Sequence, residues 1–209
     1  MKLLFPVKIP IFPLSGVIYF PKTNLPLNIF EQRYLDLVND VMKKDKLMGM
    51  VQSKRDAEGV YNVGCLGKIV DYKKSDDGRV LINLNGLTRF EILNEINNTK
   101  LYREFEVTYS KFNNDLSSLQ KEIEKPQLEI FINKVKQFFK KNQILLNWKE
   151  FEKLDQTQQI NTLAMISPIS NEEKQKLLET ISINDKTKTL IDIIEFYLHD
   201  TNLGKNTVQ

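Results

Sequence analysis

Residues 67–93 read GKIVDYKKSDDGRVLINLNGLTRFEIL, and this stretch decides the fold. Gly67 to Tyr72 and Arg79 to Leu84 are two short strand-like runs. Asp76-Asp77-Gly78 between them is a strong hairpin signal, because glycine supplies the positive φ that tight turns require. The second run does not stop at Leu84 but continues to Leu93 through another turn-type pair, Asn85-Gly86. A turn pair inside a strand reads as a bulge or bend, the device that curls a sheet toward a barrel.

Outward from this hairpin, turn chemistry crowds the first half of the chain. Seven of the eight glycines (Gly16 to Gly86) and five of the seven prolines (Pro6 to Pro26) fall in the first 86 of 209 positions. Val7 to Leu14 reads as a strand broken by Pro10 and Pro13, which cannot donate to a ladder and so favour an edge position or a strand start. Val17 to Phe20 reads as a short apolar strand closed by Pro21, and Leu25 to Leu27 as extended chain. Asn28 followed by Glu31 has the form of a helix cap with its reaching partner, and Tyr34, Leu37, Val38, Val41 and Met42 then recur on one face, predicting an amphipathic helix over roughly 30–45. Leu47 to Gln52 and Leu101 to Tyr109 complete a set of about six strands with one helix.

After about residue 110 the apolar spacing shifts to a helical period. The polar stretch Lys111 to Ser118 is the natural boundary, giving a β-rich unit over 1–110 and a helical unit over 111–209. Pro126 suits a first helical turn, and Leu128, Phe131, Ile132, Val135, Phe138 and Phe139 line one side to about Asn142. Trp148 to Leu154 and Gln158 to Ile166 read as shorter helices. Ser170 to Glu173 has the form of a capping box, and Asn184 or Asp185 opens a last helix that turns Leu190, Ile191, Ile194, Tyr197 and Leu198 inward.

Composition removes several function classes. One cysteine, Cys65, forms no internal disulfide, and one histidine, His199, forms no histidine cluster, so zinc sites, secreted disulfide scaffolds and histidine-based triads are disfavoured. Gly64-Cys65-Leu66-Gly67-Lys68 has the wrong spacing for a phosphate-binding loop, and no dinucleotide fingerprint joins a strand to a helix. Cys65 and His199 are separated by 134 positions, and each reads as structural. Asp76-Asp77 and Glu172-Glu173 fall in a turn and a first helical turn, which explains paired carboxylates without acid–base chemistry.

The formal net charge is only +3, and the basic pairs Lys43-Lys44, Lys54-Arg55, Lys73-Lys74 and Lys140-Lys141 stand close to acidic residues, so nucleic acid is the disfavoured partner. Pro6, Lys8, Pro10 and Pro13 interrupt the apolar N-terminus, against a secretory leader, and no uncharged apolar run approaches the ~18 to 20 residues of a membrane span. The expectation is a cytoplasmic protein, with no membrane partner, no metal and no cofactor.

Read together, Ile9 to Leu14, Val17 to Pro21 and Leu25-Pro-Leu-Asn-Ile-Phe-Glu-Gln-Arg-Tyr34 resemble the opening of the Lon protease N-terminal (substrate-binding) domain family, in its stand-alone members. The likeness continues through Val63-Gly64 with Ile69, Asp77-Gly78-Arg79, Asn85-Gly86-Leu-Thr-Arg89-Phe90, Leu146-Asn-Trp148, Asn161-Thr-Leu163 and Glu173 to Glu179. Gln32 and Asn28 depart from the commonest family residues at their positions. The resemblance implies an α+β fold, a PUA-like β pseudobarrel of about six strands with one helix followed by an all-α bundle. It also implies a non-catalytic module without the ATPase and protease modules of Lon, which binds unfolded or apolar segments of a client protein in an adaptor- or sensor-like role. An ATP-dependent protease in trans is the further partner it suggests, and a PUA-like RNA- or nucleotide-binding module is the alternative. The candidate binding residues are Phe20, Phe30, Glu31, Arg33 and Tyr34, with a groove between the two units as their setting. The competing structural reading puts Phe30 and Tyr34 in the core and pairs Glu31 with Arg33 or Arg89.

Overall fold

The computed structural model describes residues 5–54, 59–117 and 123–199. Met1 to Leu4 of the leader reading, Arg55 of one basic pair, Ser118 of the boundary stretch and Asp200 beside His199 lie outside them. The chain divides into two compact units, Met1–Ser118 and Leu119–Gln209.

The first unit holds six strands, β1 (Lys8–Leu14), β2 (Asn24–Ile29), β3 (Leu47–Gln52), β4 (Val63–Lys74), β5 (Val80–Ile96) and β6 (Arg103–Thr108), with helix α1 (Gln32–Met42) between β2 and β3. Their order is β2-β5-β4-β3-β1-β6, and β6 also pairs with β5, so five strands close into a barrel. The device is the long β5. Its first half runs between β4 and β2, and at Glu91, the last residue of its ladder to β4, it takes up β6 and pairs with it as far as Ile96. The register against β4 slips between Gly67↔Gly86 and Leu66↔Thr88, which leaves Leu87 as the extra residue of a bulge at the expected place. Gly86 is required there, since a Cβ would lie 2.2 Å from the Phe20 carbonyl oxygen. The hairpin at Asp76 to Gly78 forms as expected, with Gly78 at φ 85°.

Eight buried side chains from all five ring strands fill the barrel: Ile9, Ile11, Leu47, Val51, Leu66, Phe90, Phe105 and Val107. The opposite sheet face is covered by α1 through Tyr34, Leu37, Val38 and Val41, packed on Phe12, Met48, Cys65 and Leu84. Each such side chain stabilises the fold by roughly 1.5–3 kcal/mol relative to exposure.

Three local expectations are corrected. β1 is not an edge strand: it pairs with β6 over Lys8 to Ile11 and in parallel with β3 over Ile11 to Leu14. Each proline therefore has a ladder partner on one side only, which meets the same need as an edge. The true edge proline is Pro26 in β2, which among the described strands pairs only with β5. Ile18 to Phe20 are buried and Val17 is half-buried, but the segment joins no described strand, so its apolar run marks core burial rather than pairing. Asn28 caps nothing, because it pairs with Leu81 inside β2, and α1 begins four residues beyond it, at Gln32.

A 3-10 helix, Ser110–Leu116, follows β6 and is fastened to the barrel by a buried ion pair. Arg89 donates from its backbone N–H (2.9 Å), Nε (2.9 Å) and Nη2 (2.7 Å) to the two carboxylate oxygens of Asp115. Its guanidinium also stands 4.3 Å from the centre of the buried Phe112 ring.

The second unit contains α2 (Lys125–Lys141), α3 (Trp148–Phe151), α4 (Gln156–Ile166), α5 (Asn171–Glu179) and α6 (Ile183–His199). Phe131, Val135, Phe138 and Phe139 of α2, Ile160, Leu163 and Ala164 of α4, Leu177 and Leu178 of α5, and Leu190 and Ile194 of α6 are buried. Reciprocal capping boxes open α4 (Asp155 with Gln158) and α5 (Ser170 with Glu173). The α6 start is held by Ser182, whose hydroxyl donates to the Asp185 carboxylate and accepts from the Asp185 N–H. Inside the unit the buried Lys186 Nζ donates to Asn161 Oδ1 at 2.7 Å.

Candidate functional site around the start of helix α1

β2 ends on the buried Ile29, which pairs with Val80, and the next residue, Phe30, is 66% exposed. Glu31 is the N-cap by backbone geometry alone. Its carbonyl accepts the Tyr34 and Leu35 N–H groups at 2.9 and 3.0 Å, while its carboxylate makes no capping bond and turns to Arg33 instead. Arg33 donates to it from Nε (3.0 Å) and Nη2 (2.8 Å). The same guanidinium lies 4.6 Å from the centre of the Tyr34 ring, and that ring packs against Phe12 at 4.1 Å. The result is a stack running from core to solvent: Phe12, Tyr34, Arg33, Glu31. The ion pair at its top is exposed and contributes at most about 1 kcal/mol, so it does little more than hold the guanidinium over the ring.

Two recesses flank this first helical turn. One, about 430 Å³, is walled by Phe30 and Leu35 against Asp77, Gly78 and Arg79 of the β4–β5 hairpin. Arg79 is bound across the turn to Asp77, Nε to Oδ2 at 2.7 Å. The other, about 530 Å³, is more polar and includes Arg33, Tyr34, Ser53, Glu95 and Arg103. Arg103 grips Glu95 with two hydrogen bonds of 2.7 and 2.6 Å.

Charge is paired on both sides of the turn, and the titrations follow. The Arg103 hydrogen bonds hold Glu95 below the ordinary carboxylate range, and the Arg79 backbone N–H does the same for Asp77. Burial raises the Tyr34 hydroxyl, with Arg33 opposing the shift. Among the described residues no group of three or more His, Cys, Asp or Glu is placed to hold a metal ion. Cys65 is buried in β4, where its thiol points at the Leu66 carbonyl (3.6 Å).

Of the five candidate residues, four stand together at this turn. Phe30 is exposed, against the core reading; Glu31 and Arg33 form the surface pair; Tyr34 is 6% exposed and belongs to the core while its ring edge reaches the polar recess. Phe20 has no exposed surface, and its carbonyl accepts from the Thr23 N–H and hydroxyl. Glu31 pairs with Arg33 and not with Arg89, which is committed to Asp115. Sequence reasoning missed Leu35 and the hairpin wall. Leu35 carries a signal, because it is apolar yet lies off the buried Tyr34-Leu37-Val38-Val41 stripe.

The sequence model of the family described as the ATP-dependent protease La (LON) substrate-binding domain matches residues 8–195. The Lon protease of Buchnera aphidicola subsp. Acyrthosiphon pisum (strain APS) is 26% identical over 204 residues, covering 90% of this chain and 25% of that protein. The Lon protease of Syntrophus aciditrophicus (strain SB) is 26% identical over 210 residues, covering 95% and 26%. The chain thus spans about a quarter of the length of these relatives. Among solved structures, a Lon N-terminal domain protein from Xanthomonas campestris superposes with a TM-score of 0.65 at 20% identity, covering 88% of this chain and 97% of that one. The N-terminal domain of a Mycobacterium avium complex Lon protease gives 0.59 at 16%, covering 90% and 98%.

Proposed function

Because the chain belongs to the Lon substrate-binding domain family, we propose that it is a non-catalytic protein-binding module that takes unfolded or apolar polypeptide segments at the start of α1. Its role is that of an adaptor or sensor in protein quality control, in the cytoplasm, presenting clients to an ATP-dependent protease in trans. The observation that carries this reading is Phe30, a large aromatic 66% exposed beside the recess that Leu35 and the β4–β5 hairpin enclose. A rigid aromatic next to an apolar-walled recess with paired charges at its rim is the anatomy of a binding hot spot. An unfolded chain supplies the matching apolar side chains, and the Arg33–Tyr34 platform offers a flat cationic face to its carbonyl and aromatic groups.

The test uses a permanently unfolded, fluorescently labelled polypeptide and follows anisotropy. Phe30→Ala weakens binding at least tenfold with the fold intact, the loss expected when a hot-spot aromatic is removed. Unchanged affinity overturns the site. The same titration with single-stranded RNA separates the two readings: RNA binding falls steeply as salt rises, whereas apolar capture is maintained or strengthened.

A further inference from the structure

We infer that the helical unit carries a polypeptide-binding groove of its own, between the N-terminal halves of α2 and α6, shaped for a short extended segment bearing one basic and one acidic side chain. The proposal rests on the reading that the clients are unfolded polypeptides and adds a place and a charge pattern to it.

The two helices run parallel. Their C-terminal halves are closed on each other by the Lys134–Glu195 ion pair, by Phe138 against Tyr197 at 5.9 Å, and by Lys141 Nζ, which donates to the carbonyls of Tyr197 and Leu198 at 2.7 and 3.2 Å. Counting back from Lys134 and Glu195 in steps of four and three residues sets Ile130 level with Ile191 and Gln127 with Lys188, while Ile123, two residues before α2, and Asn184 complete the lining. Here the seam does not close. These residues line a groove of about 460 Å³, a volume in the range of ligand sites. One end is fixed, because Ile123 exchanges two hydrogen bonds with the Gln156 side chain, N–H to Oε1 at 2.6 Å and Nε2 to carbonyl at 2.9 Å.

The lining selects the occupant. Ile130, 58% exposed, and Ile191 supply apolar contact. Gln127 and Asn184 bring side-chain amides, each able to donate and accept, and neither hydrogen-bonds to another described side chain. A helix arrives with its backbone groups already satisfied and leaves such amides idle. An extended chain presents alternating N–H and C=O groups that they match. Glu124 on the α2 wall and Lys188 on the α6 wall, about one turn further along, likewise have no ion pair among the described residues. A basic side chain of the segment meets the first and an acidic one the second. From Asn184 to Ile191 the α6 wall of the groove runs about 10 Å at 1.5 Å per helical residue, room for roughly three extended residues.

The experiment titrates the full chain with two labelled, unstructured peptides of equal length. One has a Lys-Leu-Ile-Glu core and the other the uncharged Gln-Leu-Ile-Gln core. The wild-type protein binds the charged peptide at least fivefold more tightly. Glu124→Lys and Lys188→Glu, both at exposed positions and checked for an unchanged thermal midpoint, each abolish that preference. No preference in the wild type, or a preference that survives both charge reversals, overturns the groove even where the unfolded client still binds through Phe30. Loss of unfolded-client binding by Phe30→Ala, measured separately, decides the reading on which the groove rests. A helix-locked version of the charged peptide binding as tightly as the flexible one overturns the extended-segment assignment. Self-association lost in the charge variants overturns the peptide as occupant in favour of a second copy of the chain.

Discussion

Asp115→Ala removes the acceptor for three donors of Arg89, whose guanidinium is 3% exposed. Breaking one side of a buried pair costs about 3–5 kcal/mol, because the surviving ion keeps its desolvation penalty. At roughly 4–8 °C per kcal/mol for a domain near 100 residues, the β unit's melting midpoint falls by at least about 12 °C. The assay separates the units without dissecting them: Trp148, the one tryptophan, lies in the helical unit, so its fluorescence follows that unit while the tyrosine near-ultraviolet dichroism weights the other. The tyrosine-weighted transition drops and the tryptophan transition moves less. The double variant Arg89→Met/Asp115→Leu, which removes both charges, recovers most of the loss. A cost below about 1 kcal/mol for Asp115→Ala, or a double variant worse than the single, refutes the view that this pair is held by its uncompensated burial cost.

Tyr34→Ala costs about 3–5 kcal/mol by opening the core beneath α1, whereas Phe30→Ala, four positions earlier, stays within about 0.5 kcal/mol; urea unfolding of the two variants checks the contrast. Gly86→Ala forces the Phe20 carbonyl aside and costs at least about 1–3 kcal/mol, more than Gly16→Ala, where φ is 80° but the added Cβ has open space. Burial raises Tyr102 to about 12, and it pushes Tyr34 and Tyr109 up as well. A phenol whose folded value exceeds its unfolded one contributes stability that is complete below about pH 10 and lost as pH climbs toward the folded value. Stability therefore declines above about pH 10, and Tyr102→Phe makes that decline shallower in denaturant titrations run across the range; an unchanged slope contradicts it.

The hairpin and the bulge were legible because backbone requirements fix both residue and place: Gly78 needs positive φ, and Gly86 lies against a carbonyl. The helical unit was legible in its stripes and capping boxes, since both are local. What misled was local chemistry overridden by distant partners. Asn28 and Glu31 carry a cap signature, but the ladder to Leu81 holds Asn28 in β2 and delays the helix. Pro10 and Pro13 read as edge residues, yet β1 changes neighbours at Ile11 and needs no free edge. For the candidate site, the order Phe30-Glu31-Gln32-Arg33-Tyr34 singled out this turn but not which aromatic faced water, because Phe30 stands between the buried Ile29 and Tyr34. The opposite wall comes from Asp77 to Arg79, a hairpin brought alongside only by the pairing of β2 with β5.

Amide hydrogen exchange of the full chain, with and without a saturating unfolded client, tests the central claim most directly. Protection appearing at Phe30 to Leu35 together with Asp77 to Arg79, and absent when a folded protein replaces the client, is the predicted result. Client binding that leaves both of these segments exchanging at their free rates contradicts it.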